Sequence, residues 1–393
     1  MDPKSGGPAQ GIRNLDKSMK DVGVIREVVC FDLPDSPYLG SDNFLVHAVG
    51  PGKGPWHYCS KFIPWLKANI HRFDVIIING LWLYNSYATW KVISTIKKKT
   101  PDAKAPRVLV MPHGMLDPYF QRAKERKLKA IRNWIYWKLI ERKVVNDADG
   151  MLFTCNTELL LARKSFFPYH PRKEYNVGYG IESPPLYSPD MAIAFNKCCS
   201  GLNGKPYLLF ISRIHIKKGV DLLIKAYVAL HKSINLSNAI MPKLVIAGPG
   251  LETKFGKLLQ DELEKTPEVK ADVFFTDMLT GDAKWGAFYG CEAFILPSHQ
   301  ENFGIAVVEA LACSKPVLIS DQVNIWREIE AKRAGFINND TLEGTIDLLK
   351  KWIELAPKEK RTMENAAHEC YAENFSIENF AQRLFTAINS SII

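Results

Sequence analysis

The chain has 393 residues, 47% of them hydrophobic and 24% charged, a balance ordinary for a soluble globular protein and long enough for two cores. Its formal net charge of +9 favours polyanions or an anionic membrane surface as partners and carries no information about fold. No apolar run reaches the ~18–20 residues of a membrane span, the polar start is no secretory signal, and eight scattered cysteines read as buried reduced thiols of a cytoplasmic protein.

In chain order, a helix is predicted over residues 10–20, behind a Gly/Pro-rich start that reads equally as a disordered tail. A strand follows at 25–31, and then a Pro/Gly-rich loop region at 33–55. Helix (58–70), strand (74–78), helix (85–98) and strand (107–111) alternate after that, which predicts a doubly wound parallel sheet. His113 stands where the last of these strands becomes loop, a place that suits a functional residue or a histidine satisfied by backbone groups.

Residues 121–143 read as one basic, aromatic helix, with nine Lys or Arg against Glu125 and Glu141. Leu128, Ile131, Ile135 and Leu139 recur at helical spacing beside Trp134, Tyr136 and Trp137. Such a helix either lies on an anionic membrane, at the inner face of the plasma membrane, or packs on its own domain with a solvated basic face. Asp147-Ala-Asp149 has a metal-binding form but reads better as a helix-to-strand turn before a strand at 150–154. The Pro-rich segment 183–189 is the expected linker.

The second half opens with a strand at 207–211, then Arg213, Lys218-Gly219 and a helix at 220–231. Arg offers a planar fork and Lys a point charge, a pair suited to two phosphates. Strands at 243–247, 272–275, 293–296 and 316–320 continue the alternation, and the region 339–391 is helical in pattern. Between the last two of those strands lie Glu301 in a loop and Glu309 in a helix starting near Gly304 that is apolar nearly all round. A buried carboxylate needs hydrogen-bond donors, and the hydroxyls of a ligand would supply them. The amides of Phe303, Gly304 and Ile305 open the helix as orphan donors, a natural anion site. Spacing alone leaves a core helix with a solvated Glu at its edge equally admissible.

Glu301-x7-Glu309, preceded by Leu296-Pro-Ser and followed by Ala310-x-Ala-x-x-Lys-Pro-Val317, resembles the signature of the retaining glycosyltransferases of family 4. The resemblance implies an α/β protein of the GT-B fold, with two Rossmann-like domains facing across a cleft. The expected division is 1–182 for the acceptor side, 183–372 for the nucleotide sugar and 373–393 for a helix crossing back. It implies Glu301 against the donor sugar, Glu309 on the ribose, and Arg213 and Lys218 on the diphosphate with Asn302, Phe303, Gly304 and Ile305. Leu279 falls where the family rests the nucleotide base, although Asp277 replaces the usual glycine there. His113-Gly114 matches a family pair near the sugar, and Gly6-Gly7 the loop after the family's first strand. That strand has no counterpart in the residues before Ser5, so a first sheet with a central gap is expected.

The activity implied is metal-independent hexosyl transfer, with no cofactor, from a nucleotide sugar. UDP-glucose is the first choice of donor and UDP-galactose the next. The acceptor is a glycan or a lipid-linked sugar in envelope or exopolysaccharide synthesis, as in similar bacterial and cyanobacterial enzymes, and no nucleic-acid partner is expected. A nucleotide-sugar epimerase or a non-catalytic nucleotide-sugar-binding protein on the same fold would share the nucleotide contacts.

Overall fold

The computed structural model describes residues 1–2, 7–99, 105–122, 126–234 and 241–390. Two compact units are present, one formed by Met1–Gly180 with Ile377–Ile393 and the other by Ile181–Ser376. The sequence placed these boundaries at 182/183 and 372/373.

In the first unit the strands form two separate parallel sheets. β1 (Glu27–Cys30) pairs with β2 (Leu45–Ala48), while β3 (Val75–Asn79), β4 (Arg107–Met111), β5 (Gly150–Phe153) and β6 (Glu174–Asn176) form a four-stranded sheet in that order. Among the described residues no ladder joins β1 to β3, so these strands stand in two separate sheets. β2 falls inside the stretch read as loop, where Pro and Gly on both sides mask a four-residue strand. Ile78, Val110, Met151 and Phe153 from the larger sheet share one core with Phe62, Leu66, Val92 and Trp137 from surrounding helices. The terminal helix Ile377–Asn389 belongs to this unit, with Phe380 against Tyr179 at 5.4 Å between ring centroids.

The basic segment is not the single helix expected. It comprises helices Tyr119–Arg122 and Lys127–Tyr136, a π-helical turn Trp137–Glu141, and helix Arg142–Asp147. A π turn inserts one residue into the helical repeat and so changes which side chains share a face. Here the inward face is Asn133, Trp137, Glu141, Val144 and Val145, while Leu128, Ile131, Ile135 and Leu139 turn outward.

Glu141 is fully buried; its Oε1 accepts from Trp82 N at 2.7 Å and Ser86 Oγ at 2.6 Å, and its Oε2 has no partner. Burial pushes its carboxyl up to about 7, from the 4.5 of a free glutamate side chain. Because the folded value is the higher one, the neutral acid is the form that favours folding. Its contribution is complete below pH 4.5 and is lost as pH rises through 7. Glu141→Gln therefore raises Tm at pH 8 more than at pH 5 in a thermal melt series. Equal shifts at both values would show that no proton is held there.

The second unit holds one six-stranded parallel sheet. In chain order its strands are β7 (Tyr207–Ile211), β8 (Lys243–Ala247), β9 (Val273–Thr276), β10 (Ala293–Leu296), β11 (Val317–Ser320) and β12 (Gly335–Asn338). Their spatial order is β12-β11-β10-β7-β8-β9. β10 and β11 are buried along their whole length, as expected of apolar strands covered on both faces by helices. The winding reverses between β7 and β10. A ligand in such a sheet binds beyond the carboxyl ends of the strands at that reversal.

Candidate active site

Topology brings the loop after β7 and the loop after β10 together. Ser298 Oγ donates to Lys217 O at 3.0 Å, and His299 N donates to the same carbonyl at 2.8 Å. Gly219 closes the first loop at φ +67°, and a Cβ built there would stand 1.9 Å from Pro297 O. The backbones touch at this point, so no larger residue fits between Lys218 and the helix Val220–Ile234.

This seam places Lys218 Nζ in an ion pair with Glu301 Oε2. Lys218 is only 8% exposed, while Arg213 is exposed and has no hydrogen-bond or ion-pair partner among the described residues. Burial, aided by repulsion from Lys217 and Arg213, pulls the Lys218 ammonium down to about 7. Three cations thus gather at the end of β7 with one carboxylate between them and the next loop. An arriving diphosphate would supply the missing negative charge and hold Lys218 protonated.

Glu301 is fixed by its backbone, since its N donates to Gln322 O and its O accepts from Asn324 N, both at 2.9 Å. Three residues on, Gly304 adopts φ +77° and starts the helix Ile305–Ala312. A Cβ on Gly304 would lie 3.3 Å from Glu301 Cγ, so the helix start adjoins the carboxylate that Lys218 holds. Val307 N and Val308 N donate to Gly304 O at 2.9 and 3.2 Å, and the amides of Ile305 and Ala306 ahead of them form the end of the helix where an anion is favoured. Phe303 is buried edge-on against Phe375 at 5.7 Å, and Asn302 Oδ1 accepts from Asn324 Nδ2 at 3.4 Å. Leu279 is buried in the loop before the helix Gly281–Gly290.

Glu309 lies mid-helix and is largely buried, which pushes its carboxyl up; Lys284 opposes that shift from 2.6 Å on Oε1. Sequence reasoning left the carboxylate for ligand hydroxyls and missed Lys284, which lies 25 residues away on another helix. The ammonium also sits 4.5 Å above the Trp285 ring, so it is held on two sides. Replacing Lys284 with Met removes the charge that keeps Glu309 ionised, and burial then acts unopposed. UDP affinity of that variant should weaken as pH falls, over a window at higher pH than in the parent. Titration calorimetry between pH 5.5 and 8 reads this, and parallel profiles would remove Lys284 from any part in positioning Glu309.

His113 belongs to the first unit, at the end of β4 with φ +50°. Its Nε2 meets Asn79 Oδ1, at the end of the adjacent β3, at 2.9 Å. Burial pulls the imidazole down to about 4, so it is neutral at pH 7 and acts as a hydrogen-bonding group. The loop after it is tied by Glu158, whose Oε1 accepts from Gly114 N and whose Oε2 accepts from Thr154 N at 2.7 Å and Thr154 Oγ1 at 2.6 Å. Asn79 and Glu158 were also missed, since each meets a partner far away in the sequence. Gly7 opens the helix Gly7–Asp21, and Gly6 lies outside the described residues.

The Asp147-Ala-Asp149 triplet is taken up structurally. Asp147 accepts from Trp90 Nε1 at 2.7 Å, and Asp149 accepts from Val108 N at 2.8 Å while pairing with Arg172. Among the described residues no group of three or more His, Cys, Asp or Glu could hold a metal ion.

Residues 200–369 match the profile of the family described as glycosyl transferases group 1. An uncharacterized glycosyltransferase of Methanocaldococcus jannaschii is 27% identical over 195 residues, covering 48% of this chain and 46% of the relative. The alpha-monoglucosyldiacylglycerol synthase of Streptococcus pneumoniae is 25% identical over 246 residues, 61% of this chain and 52% of the relative. The chain thus spans about half the length of these curated relatives. Among solved structures, Anabaena HepE in complex with UDP and glucose aligns with TM-score 0.70 at 16% identity over 98% of this chain and 96% of that one. Sucrose-phosphate synthase from Thermosynechococcus elongatus aligns with TM-score 0.69 at 16% identity, over 98% and 94%. The fold is that of the GT-B glycosyltransferases, and the match to glycosyl transferases group 1 falls within its second unit.

Proposed function

From that fold and that match, we propose that the chain is a retaining, metal-independent hexosyltransferase of family 4. The donor is a nucleoside-diphosphate sugar, UDP-glucose first, and the acceptor a hydroxyl of a glycan or lipid-linked sugar in envelope or exopolysaccharide synthesis. One observation carries the reading: Lys218 and Glu301, from the two loops at the sheet's reversal, meet beside the start of the helix that carries Glu309. HepE, whose structure was solved with UDP and glucose, lends support to a UDP-sugar.

In this reading Arg213, Lys218 and the amides of Phe303–Ile305 receive the diphosphate. The acceptor oxygen bonds to the anomeric carbon as the bond from that carbon to the phosphate oxygen breaks, and the phosphate keeps the electron pair. The acceptor's proton passes to the departing phosphate oxygen on the same face, so configuration is retained. Charge that grows on the leaving group is where fixed cations and amide dipoles lower a barrier most. Glu301 positions the sugar and stabilises positive character at its anomeric carbon, Glu309 binds the ribose, and Leu279 borders the base. A neutral His113 is assigned a sugar contact from the family resemblance.

The test is a panel of UDP-, GDP- and ADP-sugars, with and without sugar acceptors, read by release of nucleoside diphosphate and by NMR of the product's anomeric centre. Release of UDP from UDP-glucose with an α-linked product is expected. Sugar interconversion with donor alone would instead identify an epimerase, and nucleotide binding without turnover a non-catalytic protein.

A further inference from the structure

The exposed face of the helix Lys127–Tyr136 and the π turn after it holds none of the residues assigned above to sugar transfer, and its composition is unlike that of an ordinary surface. Leu128 is 85% exposed, Leu139 65% and Ile131 57%, with Trp134 and Ile135 about half exposed beside them. At 100° per residue Leu128, Ile131, Trp134 and Ile135 fall on one stripe of the helix, and Leu139 in the π turn after it is likewise exposed. Lys127, Lys129, Arg132, Lys138 and Lys143 are exposed along the same segment. None of the five forms an ion pair among the described residues, whereas many cations elsewhere on the chain are paired. No acidic residue occurs from 127 to 140, and Glu141 is turned inward and buried.

A second element of the same unit extends the face. Trp56 stacks on Tyr136 with centroids 6.1 Å apart and planes 12° apart, and Trp56 and Tyr58 are themselves 42% and 52% exposed. Amphipathic rings of this kind settle at the headgroup level of a bilayer. Lys138 lies 4.0 Å from the Trp134 ring, so one cation is already stacked beside the apolar stripe. No helix among the described residues is long and apolar enough to cross a membrane.

We propose that this face is a docking surface for an anionic phospholipid bilayer, with Leu128, Ile131, Ile135 and Leu139 entering the acyl boundary and the basic residues engaging the headgroups. An apolar stripe flanked by unpaired cations, with indole rings at its edge, is the pattern of a helix that lies in a membrane interface. The complementary charge argues for lipid over a second copy of this chain, whose own face would be equally basic. The proposal does not depend on the identity of the sugar donor.

Sedimentation of the full chain with phosphatidylcholine vesicles containing increasing phosphatidylglycerol tests it. The bound fraction should rise with phosphatidylglycerol, fall with added salt, and be accompanied by a blue shift of tryptophan emission. Lys127→Gln with Lys129→Gln and Arg132→Gln should cut the partition coefficient about a hundredfold, roughly fivefold per charge. Leu128→Ser with Ile131→Ser and Leu139→Ser should abolish the emission shift, while UDP affinity and the circular dichroism melt, both measured without vesicles, stay as in the parent. A parent protein that remains in the supernatant at low salt overturns the proposal, as do serine variants that bind vesicles as well as the parent. Light scattering that shows a parent dimer broken by the serine substitutions assigns the face to self-association and overturns it too.

Discussion

Lys218→Ala lowers kcat for sugar transfer by about 10²–10³, the loss typical when one fixed donor to a developing anion is removed. Two features of the site set the size of the effect. The ammonium is buried against Glu301 at the reversal of the sheet, so water cannot take its place easily. Removing it also leaves Glu301 facing an incoming diphosphate with no cation between them, and repulsion replaces attraction. UDP affinity should fall together with kcat. Lys218→Arg is expected to recover little, because the guanidinium is larger and the space is bounded by the backbone contact of Gly219 with Pro297. Steady-state kinetics with release of nucleoside diphosphate as readout measure this. Near-parental turnover in Lys218→Ala would mean that the pair with Glu301 is only a structural tie.

Gly219→Ala should destabilise the second unit by ~2–4 kcal/mol, combining a left-handed backbone that resists a side chain with a direct collision. The new Cβ would sit 1.9 Å from Pro297 O and 2.8 Å from Pro297 C, backbone atoms that cannot swing aside as a side chain could. Relief requires the loops after β7 and β10 to separate, which breaks the bonds of Ser298 and His299 to Lys217 O. Activity should therefore be lost in step with stability, and UDP should rescue the melting temperature less than in the parent. Urea unfolding with and without UDP reads both. By contrast, Gly204 is also left-handed, at φ +70°, but nothing lies within 4 Å of its added Cβ; Gly204→Ala should cost far less. Equal losses at the two glycines would show that conformation alone, and not the seam between the loops, sets the cost.

The second unit was the more legible in sequence because its strands are buried on both faces and so appear as unbroken apolar runs. Tyr207–Ile211, Lys243–Ala247 and Ala293–Leu296 stand where those runs predicted. Strands that are short or half-exposed escaped. Leu45–Ala48 lies among prolines and glycines, and Gly335–Asn338 is a half-buried strand at the sheet edge. In the basic segment the spacing of Leu128, Ile131, Ile135 and Leu139 marked a helix face without revealing which way it turned. The inward face carries Trp137 and a buried acid, which hydropathy does not select.

The site divided in the same way. Glu301, Arg213 and Lys218 stand out in the sequence because each occurs where a strand gives way to a loop in a parallel α/β pattern, and Glu309 because it is a carboxylate in an otherwise apolar helix. Lys284, Asn79 and Glu158 were not, since each acts through a partner distant in sequence: Glu309, His113 and the amide of Gly114. Tertiary pairing of this sort leaves no local spacing to read. The sequence also treated Lys218 and Glu301 as serving phosphate and sugar separately, whereas they form one ion pair.

A crystal structure of the chain with UDP bound addresses the central claim most directly. The account predicts the diphosphate between Lys218 Nζ and the amides of Gly304 and Ile305, within hydrogen-bond distance of both, and the ribose hydroxyls on Glu309. UDP bound elsewhere, with Lys218 still closed on Glu301 and nothing at the start of the helix Ile305–Ala312, would contradict it.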